Sequence, residues 1–180
     1  MKTYIALFRG VNVGGNNLLS MKDLVILLEK LDSHGVKTYI QSGNAVFRNA
    51  AESGSWLLSR ISAEIKKTHG FEPQVFLLEL EDLEKAIELN PFPEAESTPQ
   101  TLHLFFLGFA PENPDLQALE NMKRDSERCK LIDNVFYLHA PEGIGRSKLA
   151  SRVEKSLGVA ATARNWRSVG KILNMAKHRD

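Results

Sequence analysis

Hydrophobic and polar residues in the first 80 positions alternate between strand-like runs and helix-like stripes. Short runs rich in β-branched and aromatic residues predict strands at residues 3–8, 36–40, 45–47 and 74–78. Apolar residues at helical spacing predict two helices, one from residue 21 to His34-Gly35 and one over residues 55–68. The order β-α-β-β-α-β predicts an α+β class, with a ferredoxin-like βαββαβ subdomain that carries both helices on one face of an antiparallel sheet. That plan leaves the opposite face of the sheet open.

A proline-rich stretch at residues 90–99 follows this subdomain and predicts a boundary after residue 98. We therefore expect a ferredoxin-like N-terminal subdomain over 1–98 and a smaller α+β C-terminal subdomain over 99–180. In the second part, the apolar pattern predicts a strand, a helix, a hairpin and two final helices, at residues 102–107, 115–122, 129–138, 148–157 and 166–177. No repeat of long period is visible in the residues themselves.

Composition is typical of a soluble globular protein, since 43% of the 180 residues are hydrophobic and 25% are charged. No run of about 18 apolar residues is present to span a membrane, and the short apolar start is interrupted by Arg9. The single cysteine, Cys129, cannot form an internal disulfide, which fits a reducing compartment. The sequence therefore predicts a cytoplasmic location.

Positive charge is concentrated in the second half of the chain, although the net charge is only +1. Residues 99–180 contain 13 Lys and Arg against 9 Asp and Glu, a net charge of +4. Residues 140–180 contain nine cations and three anions, interleaved with apolar positions of helical spacing. A solvated helix face is the more common explanation of such a pattern, and the alternative is an anionic partner.

Signatures of a metal site or of a catalytic nucleophile are absent from the sequence. The histidines do not occur at the spacing of metal ligands. Cys129 lies between Arg128 and Lys130, which favours a thiolate, but a lone cysteine in a strand is more often an inert core residue. No phosphate-binding or dinucleotide-binding glycine motif is present. We therefore predict no metal and no cofactor, and the sequence leaves open whether the protein is an enzyme.

The segment from Arg9 to Asn17, R-G-V-N-V-G-G-N-N, combines glycine and asparagine between a strand and a helix. Gly14 and Gly15 allow positive φ and close approach of a ligand to the backbone, and Asn12 offers hydrogen-bond donors and an acceptor. The loop therefore fits an oxyanion site, but an asparagine-stabilised turn without a ligand explains it equally well. Because Ser20 caps the following helix, any anion is expected at the loop and not at the helix end.

Two helix starts in the second half are flanked by cations. Ser147 is expected to cap the first and lies between Arg146 and Lys148. Asn165 is expected to cap the second and follows Arg164. Cations at a helix N-terminus oppose its dipole by about 0.3–1 kcal/mol each, and a bound phosphate or carboxylate removes that conflict. These starts are therefore the stronger candidates for an anion site, the alternative being that the cations pair with acidic side chains elsewhere in the fold.

Several motifs together resemble the uncharacterised bacterial family DUF1697. They are R-G-V-N-V-G-G-N-N, Y-I-Q-S-G-N at residues 39–44, N-P-F at 90–92, G-R-S-K-L at 145–149 and T-A-R-N-W-R-S-V at 162–169. The resemblance implies a two-part α+β protein with a ferredoxin-like first half, and it implies no particular activity. Members of the family often have Lys or His where this chain has Asn16-Asn17, and Thr where it has Ser168. The first difference weakens an anion role for the loop.

Three functions fit these observations. The first is binding of an anionic or phosphate-bearing small molecule at the junction of the two subdomains. The residues expected at that site are Arg9, Asn12, Gly14, Gly15, Gln41, Asn44, Arg146, Ser147, Lys148, Arg164 and Asn165. The second is binding of nucleic acid as single-stranded RNA, with Tyr4, Phe8 and Phe47 stacking bases on the open sheet face. The third is a protein-interaction module in which the polar motifs join the subdomains.

Overall fold

The protein forms two compact units, each built around its own antiparallel sheet. The structure, a computed structural model, describes residues 1–178, so Arg179 and Asp180 of the predicted basic segment lie outside the described residues. Unit 1 comprises Met1–Lys85 and the chain from Lys171 onward, and unit 2 comprises Ala86–Gly170. Within the described residues the fold is α+β, with two four-stranded antiparallel sheets and six α-helices.

Unit 1 begins with the element order β-α-β-β-α-β. Its elements are β1 (Lys2–Arg9), α1 (Met21–Lys30), β2 (His34–Tyr39), β3 (Asn44–Asn49), α2 (Gly54–His69), β4 (Gln74–Glu79) and the start of α3 (Leu80–Glu88). The strands are adjacent in the order β2-β3-β1-β4, and each neighbouring pair is antiparallel. The predicted strands and helices of this half are therefore confirmed in type and order, with β1 between β3 and β4.

Side chains of β1 alternate between the two faces of the sheet, as the two-residue period of a strand requires. Tyr4 and Phe8 pack in one core cluster with Leu24 of α1 and Ile61 of α2. Ile5, which points to the opposite face, is also fully buried, with 0% of its surface exposed. The prediction of an open sheet face is therefore wrong at the central strand.

Unit 2 repeats the element order and the strand order of unit 1 with different residues. Its elements are β5 (Leu102–Leu107), α4 (Leu116–Met122), β6 (Arg128–Ile132), β7 (Val135–His139), α5 (Val153–Leu157), β8 (Ala161–Asn165) and the start of α6 (Trp166–Lys177). The strands are adjacent in the order β6-β7-β5-β8, all antiparallel, which is the unit 1 order with each strand replaced by its counterpart. Phe105 and Phe136 pack with Leu119 of α4 and Leu157 of α5. The two units share one topology that no sequence repeat reveals.

The first helix ends earlier than the sequence predicts. α1 stops at Lys30, and Asp32 takes a positive φ of 58° just beyond it. His34, expected to close the helix, begins β2 instead and pairs with Arg48 of β3. Pairing with β3 therefore places His34 and Gly35 in a strand, although their sequence is typical of a helix end.

Two segments of the second half also differ from the prediction. The helix expected over 148–157 is split into a 3-10 turn, Ala150–Arg152, and the five-residue α5. Residues 161–165, where the sequence pattern predicts no element, form β8, because they pair with β5 along their whole length. The last helix itself, α6, is confirmed at the predicted bounds.

Residues 86–98 lie in unit 2, although the predicted boundary follows them. Tyr137 Oη donates a buried 2.6 Å hydrogen bond to Ala86 O. Phe92 is buried, and the guanidinium of Arg128 lies 4.9 Å from the centre of its ring. These contacts explain the N-P-F motif, whose phenyl ring anchors the proline-rich segment. The ranges 1–98 and 99–180 remain a prediction, whereas the compact units divide between residues 85 and 86.

Within residues 1–178, each helix is too short or too polar to pass through a lipid bilayer.

Candidate functional site

The loop from Arg9 to Asn17 contains a closed two-residue turn. Asn16 N donates to Val13 O at 3.0 Å, and Gly14 and Gly15 lie between them with φ of 58° and 78°. Positive φ at both central positions is the type I′ arrangement, for which glycine is favoured. Turn geometry therefore accounts for both glycines without a ligand.

Asn12 joins this loop to the next turn of the chain. Its Nδ2 donates to Leu19 O at 2.8 Å and to Gln41 O at 2.9 Å, and its Oδ1 accepts from Leu19 N at 2.9 Å. Both donor hydrogens of the carboxamide are thus used, together with its acceptor. Asn12 itself has a φ of 56°, a conformation that asparagine tolerates better than most residues. The structure gives Asn12 a structural role, and Gln41 contributes its backbone carbonyl to that role.

Asn44 and Gly43 hold the turn between β2 and β3 in the same way. Asn44 is fully buried, and its Nδ2 donates to Tyr39 O at 3.1 Å and to Ser42 Oγ at 3.0 Å. Gly43 packs so tightly that a Cβ atom there would lie 2.6 Å from Phe8 Cβ. The Q-S-G-N motif is therefore explained by turn geometry and packing.

Arg9 is the exposed cation among the predicted residues of unit 1. It lies at the end of β1, where its guanidinium donates to Gln74 Oε1 at 3.2 Å on the neighbouring strand β4. The asparagines and glycines around it stabilise the loops. That Arg9 acts with Arg146 and Arg164 in one ligand site remains a prediction.

Ser147 caps a helical segment, as its sequence position predicts. Its Oγ accepts from Ala150 N at 3.0 Å, and the residue is only 6% exposed, while Arg146 and Lys148 on either side are exposed. The segment that follows is a three-residue 3-10 turn and then the short α5. Because aligned peptide dipoles sum over the length of a helix, so short a segment offers an anion little dipole attraction. Any anion here depends on the side-chain charges.

Arg164 and Asn165 lie on opposite faces of β8, because neighbouring residues of a strand alternate. Arg164 Nη1 donates to Thr162 Oγ1 at 2.9 Å and to Ala163 O at 2.8 Å. Burial lowers the pKa of Arg164 to about 10, so the guanidinium remains charged at neutral pH. Asn165 Oδ1 accepts from Ser168 N at 2.9 Å and caps α6. The predicted cap is confirmed, but strand geometry separates the two side chains.

Some cations of unit 2 pair with carboxylates. Lys123 pairs with Glu120 at 2.7 Å, Arg124 pairs with Glu142 at 2.8 Å, and Arg128 pairs with Glu94. Hydrogen bonding from Ser126, followed by the charge of Arg124, lowers the pKa of Glu142, with a smaller contribution from Arg146. Acidic side chains therefore neutralise the cations of residues 123–128, for which the sequence makes no prediction, whereas Arg146 at the first predicted helix start acts on Glu142 only through its charge.

Four exposed cations further along unit 2 differ from these. Within residues 1–178, no carboxylate oxygen lies within 4.0 Å of a side-chain nitrogen of Lys148, Arg152, Lys155 or Arg167. We call these four residues the cationic segment. Ion pairing inside the fold does not explain them, so their charge is directed to solvent or to a partner.

A groove of about 380 Å³ lies between α4 and α5. It is lined by Asp115, Ala118, Met122, Arg152, Lys155 and Ser156. Asp115 N donates to Ser156 O at 2.7 Å and joins the two elements at one end. Two members of the cationic segment therefore border a concave surface. Sequence reasoning missed both, although the i, i+3 spacing of Arg152 and Lys155 on a helical edge was a usable signal.

Metal and thiol chemistry find no support in the described residues. Among residues 1–178, no group of three or more His, Cys, Asp or Glu side chains is placed to hold a metal ion. Burial, followed by the charge of Glu120, raises the pKa of Cys129 to about 12. The Cys129 thiol is therefore protonated at neutral pH and is not an activated nucleophile.

The aromatic residues proposed to stack RNA bases are in the core. Tyr4, Phe8 and Phe47 are each 1% exposed, and all three belong to the cluster beneath α1 and α2. Base stacking needs an exposed ring face. These three rings are therefore not available to stack bases.

Comparison with known proteins agrees with the two-part α+β fold. The family described as "Protein of unknown function (DUF1697)" matches residues 1–137. The solved structure of the conserved bacterial protein SP0830 from Streptococcus pneumoniae is similar to this chain, with a TM-score of 0.72 and 26% sequence identity, over 98% of this chain and 99% of that one. No curated protein sequence matches the chain. With more than half of its length matched, the chain belongs to the DUF1697 family.

Proposed function

We propose that the protein binds phosphate-bearing anions on unit 2 through the cationic segment. The observation that carries this proposal is the lack of a carboxylate partner at Lys148, Arg152, Lys155 and Arg167 within residues 1–178. In residues 123–128 of the same unit, by contrast, each cation forms a salt bridge. The charge of the cationic segment is thus left for a partner outside the fold.

Phosphate fits these side chains better than a simple monovalent anion does. The guanidinium groups of Arg152 and Arg167 present planar donors that match two phosphate oxygens at once, and lysine adds a compact charge. A single exposed ion pair contributes about 0–1 kcal/mol, so measurable affinity requires several of these cations to contact one ligand. Such binding weakens as salt concentration rises, because exposed charges are screened.

Several residues that the sequence predicts at the anion site are not part of the site proposed on unit 2. The carboxamides of Asn12 and Asn44 are engaged within unit 1, and Ser147 caps its own segment. The residues we assign to anion binding are the four exposed cations of residues 148–167 in unit 2 that form no ion pair within residues 1–178.

We further infer that the first unit has the ferredoxin-like arrangement, and that the second unit shares it. The strand order β2-β3-β1-β4, with helices between β1 and β2 and between β3 and β4, supports this assignment. The order β6-β7-β5-β8 supports it for unit 2. In both units one core cluster lies between a sheet face and the two helices.

Isothermal titration calorimetry with inorganic pyrophosphate tests anion binding. We expect the wild-type chain to bind at about 50 mM salt, where screening is weak. A Lys148→Ala/Arg167→Ala variant should bind at least about fivefold more weakly, which corresponds to roughly 1 kcal/mol for the two lost contacts. Lys22→Ala/Lys67→Ala is the matched control, because both residues are exposed lysines of unit 1 without a carboxylate partner among residues 1–178.

Two results would overturn the proposal. Equal weakening in the variant and in the control would mean that only net charge matters, and no binding of pyrophosphate at about 50 mM salt would remove the function altogether. Salt-dependent binding of single-stranded RNA without binding of pyrophosphate would favour the nucleic-acid alternative over this one.

A further inference from the structure

We propose that the groove between α4 and α5 binds a nucleoside monophosphate, a ligand that combines a phosphate, a flat ring and sugar hydroxyls. The proposal rests on the anion binding proposed above and names its ligand class. It is drawn from three kinds of side chain that line the groove: two cations, an apolar pair, and a carboxylate and a hydroxyl from two residues that are joined by a backbone hydrogen bond.

The two cations lie on the α5 side of the groove. Arg152 and Lys155 are exposed, and neither has a carboxylate partner within residues 1–178. Because they are three residues apart in a helical segment, they lie on the same edge. A phosphate placed there accepts two parallel hydrogen bonds from the guanidinium and a further one from the ammonium.

The apolar pair lies on the α4 side. Ala118 and Met122 are one helical turn apart and both line the groove. A thioether side chain is flexible and polarizable, and it packs favourably against aromatic rings. The α4 side therefore offers a surface for a flat ring opposite the cations.

The carboxylate and the hydroxyl lie at the end where the two elements are joined. One oxygen of Asp115 accepts from Ala118 N at 2.9 Å, and a carboxylate has further acceptor sites beyond that bond. Carboxylates accept hydrogen bonds from ribose hydroxyls in dinucleotide sites, and the Ser156 hydroxyl both donates and accepts. The charge of Asp115 repels a bare phosphate, so this end favours a ligand that presents hydroxyls to it and carries its phosphate elsewhere.

The size of the groove suits a small ligand. Its volume of about 380 Å³ lies within the roughly 300–1,000 Å³ that is usual for small-molecule sites. A phosphate alone would leave the Ala118 and Met122 surface uncovered, whereas a nucleotide contacts all three kinds of lining group.

Calorimetric titration of the full chain with adenosine 5′-monophosphate, adenosine and inorganic phosphate tests the proposal. We expect the nucleotide to bind about tenfold more tightly than phosphate or adenosine, because only the nucleotide uses both the cations and the rest of the groove. The Arg152→Ala/Lys155→Ala variant should lose about tenfold in nucleotide affinity. Lys67→Ala/Lys130→Ala removes two exposed lysines outside the groove that have no carboxylate partner within residues 1–178, and it should bind as wild type does.

Asp115→Asn gives a second test, in which the affinities for the nucleotide and for inorganic phosphate should change in opposite directions. Asparagine is as good an N-cap as aspartate, so α4 should persist. Nucleotide affinity should fall about fivefold as the acceptor charge is lost, while the affinity for inorganic phosphate should rise because the repulsion is removed. A change of both affinities in the same direction by the same factor would overturn the assignment of Asp115.

The results distinguish failure of this inference from failure of the proposed function. If the nucleotide binds no more tightly than phosphate, but pyrophosphate binding still depends on Lys148 and Arg167, the groove ligand is wrong and anion binding stands. If the Arg152→Ala/Lys155→Ala variant and its control bind the nucleotide equally, the groove is also excluded. If no phosphate compound binds, both proposals fail.

Discussion

Gly43 occupies a position where a larger residue would collide with two core side chains. A Cβ atom there would lie 2.6 Å from Phe8 Cβ and 2.7 Å from Val11 Cγ2, and the φ of +73° lies in the left-handed region. Phe8 and Val11 are 1% and 2% exposed. Phe8 N also donates to Gly43 O at 2.8 Å, which holds the two backbones together. Neither neighbour can therefore move aside without disturbing the core of unit 1.

The expected cost of Gly43→Ala is the sum of two effects. The left-handed conformation costs an L residue about 1–2 kcal/mol, and overpacking a core costs typically about 1–3 kcal/mol. The free energy of unfolding should therefore fall by about 2–5 kcal/mol, a large part of the roughly 5–15 kcal/mol that stabilises a native protein. Gly10→Ala is the matched control, because Gly10 has the same φ of +73°, and within residues 1–178 no heavy atom beyond its chain neighbours lies within 4 Å of its Cβ position. It should lose only the conformational part, about 1–2 kcal/mol.

Native-state hydrogen exchange of the Phe8 amide measures this difference locally, because that amide is hydrogen-bonded to Gly43 O. Its protection should decrease much more in Gly43→Ala than in Gly10→Ala, and urea denaturation followed by circular dichroism should rank the variants in the same order. Equal losses in the two variants, to within about 0.5 kcal/mol, would refute the steric argument, since they would leave only backbone strain.

Two further predictions concern His103 and Asn12. Burial lowers the pKa of His103 in the folded chain. Between that lowered pKa and the usual value of about 6.5, the unfolded chain binds a proton at His103 that the folded chain does not bind. The free energy of unfolding should therefore fall as pH falls through this range. Urea denaturation at about pH 7.5 and about pH 5 checks the sign, and an unchanged pH dependence in His103→Leu would contradict it. Asn12→Ala removes three hydrogen bonds to backbone groups and should cost about 1–3 kcal/mol, with faster exchange of the Leu19 amide. Asn16→Ala is the control, because the Asn16 side chain is exposed and forms no hydrogen bond within residues 1–178. This variant should change the free energy of unfolding by less than about 0.5 kcal/mol. Similar losses of stability in the two variants would exclude the structural role of the Asn12 carboxamide.

Much of the fold was predictable because its signals are local. The apolar run that begins after Lys2 becomes β1, and Ser20 Oγ accepts from Asp23 N at the start of α1 as the sequence indicates. The residue pattern also predicts the hairpin of β2 and β3 and the last helix. Caps, turns and periodic apolar stripes depend on residues within a few positions of each other, so the sequence contains them directly.

The candidate site was predictable only in part. The excess of positive charge after residue 140 is visible in the sequence, but which cations pair with carboxylates depends on segments far apart in the chain. Arg128 reaches Glu94 across more than thirty positions, and the groove brings Asp115 beside Ser156. Neither contact has a local signal.

The sequence by itself determined the family motifs of this protein and most of its helices and strands, with their order in the first unit. The tertiary structure decided what the polar residues in those motifs do. Asn12 and Asn44 are of a residue type that is common in ligand sites, but their carboxamides donate hydrogen bonds to backbone carbonyl groups of the loops. Residues 161–165 become a strand only because β5 lies beside them, and this turns Arg164 and Asn165 to opposite faces. The physical reason is that a polar side chain takes its role from the partner within hydrogen-bonding distance, and folding supplies that partner from elsewhere in the chain.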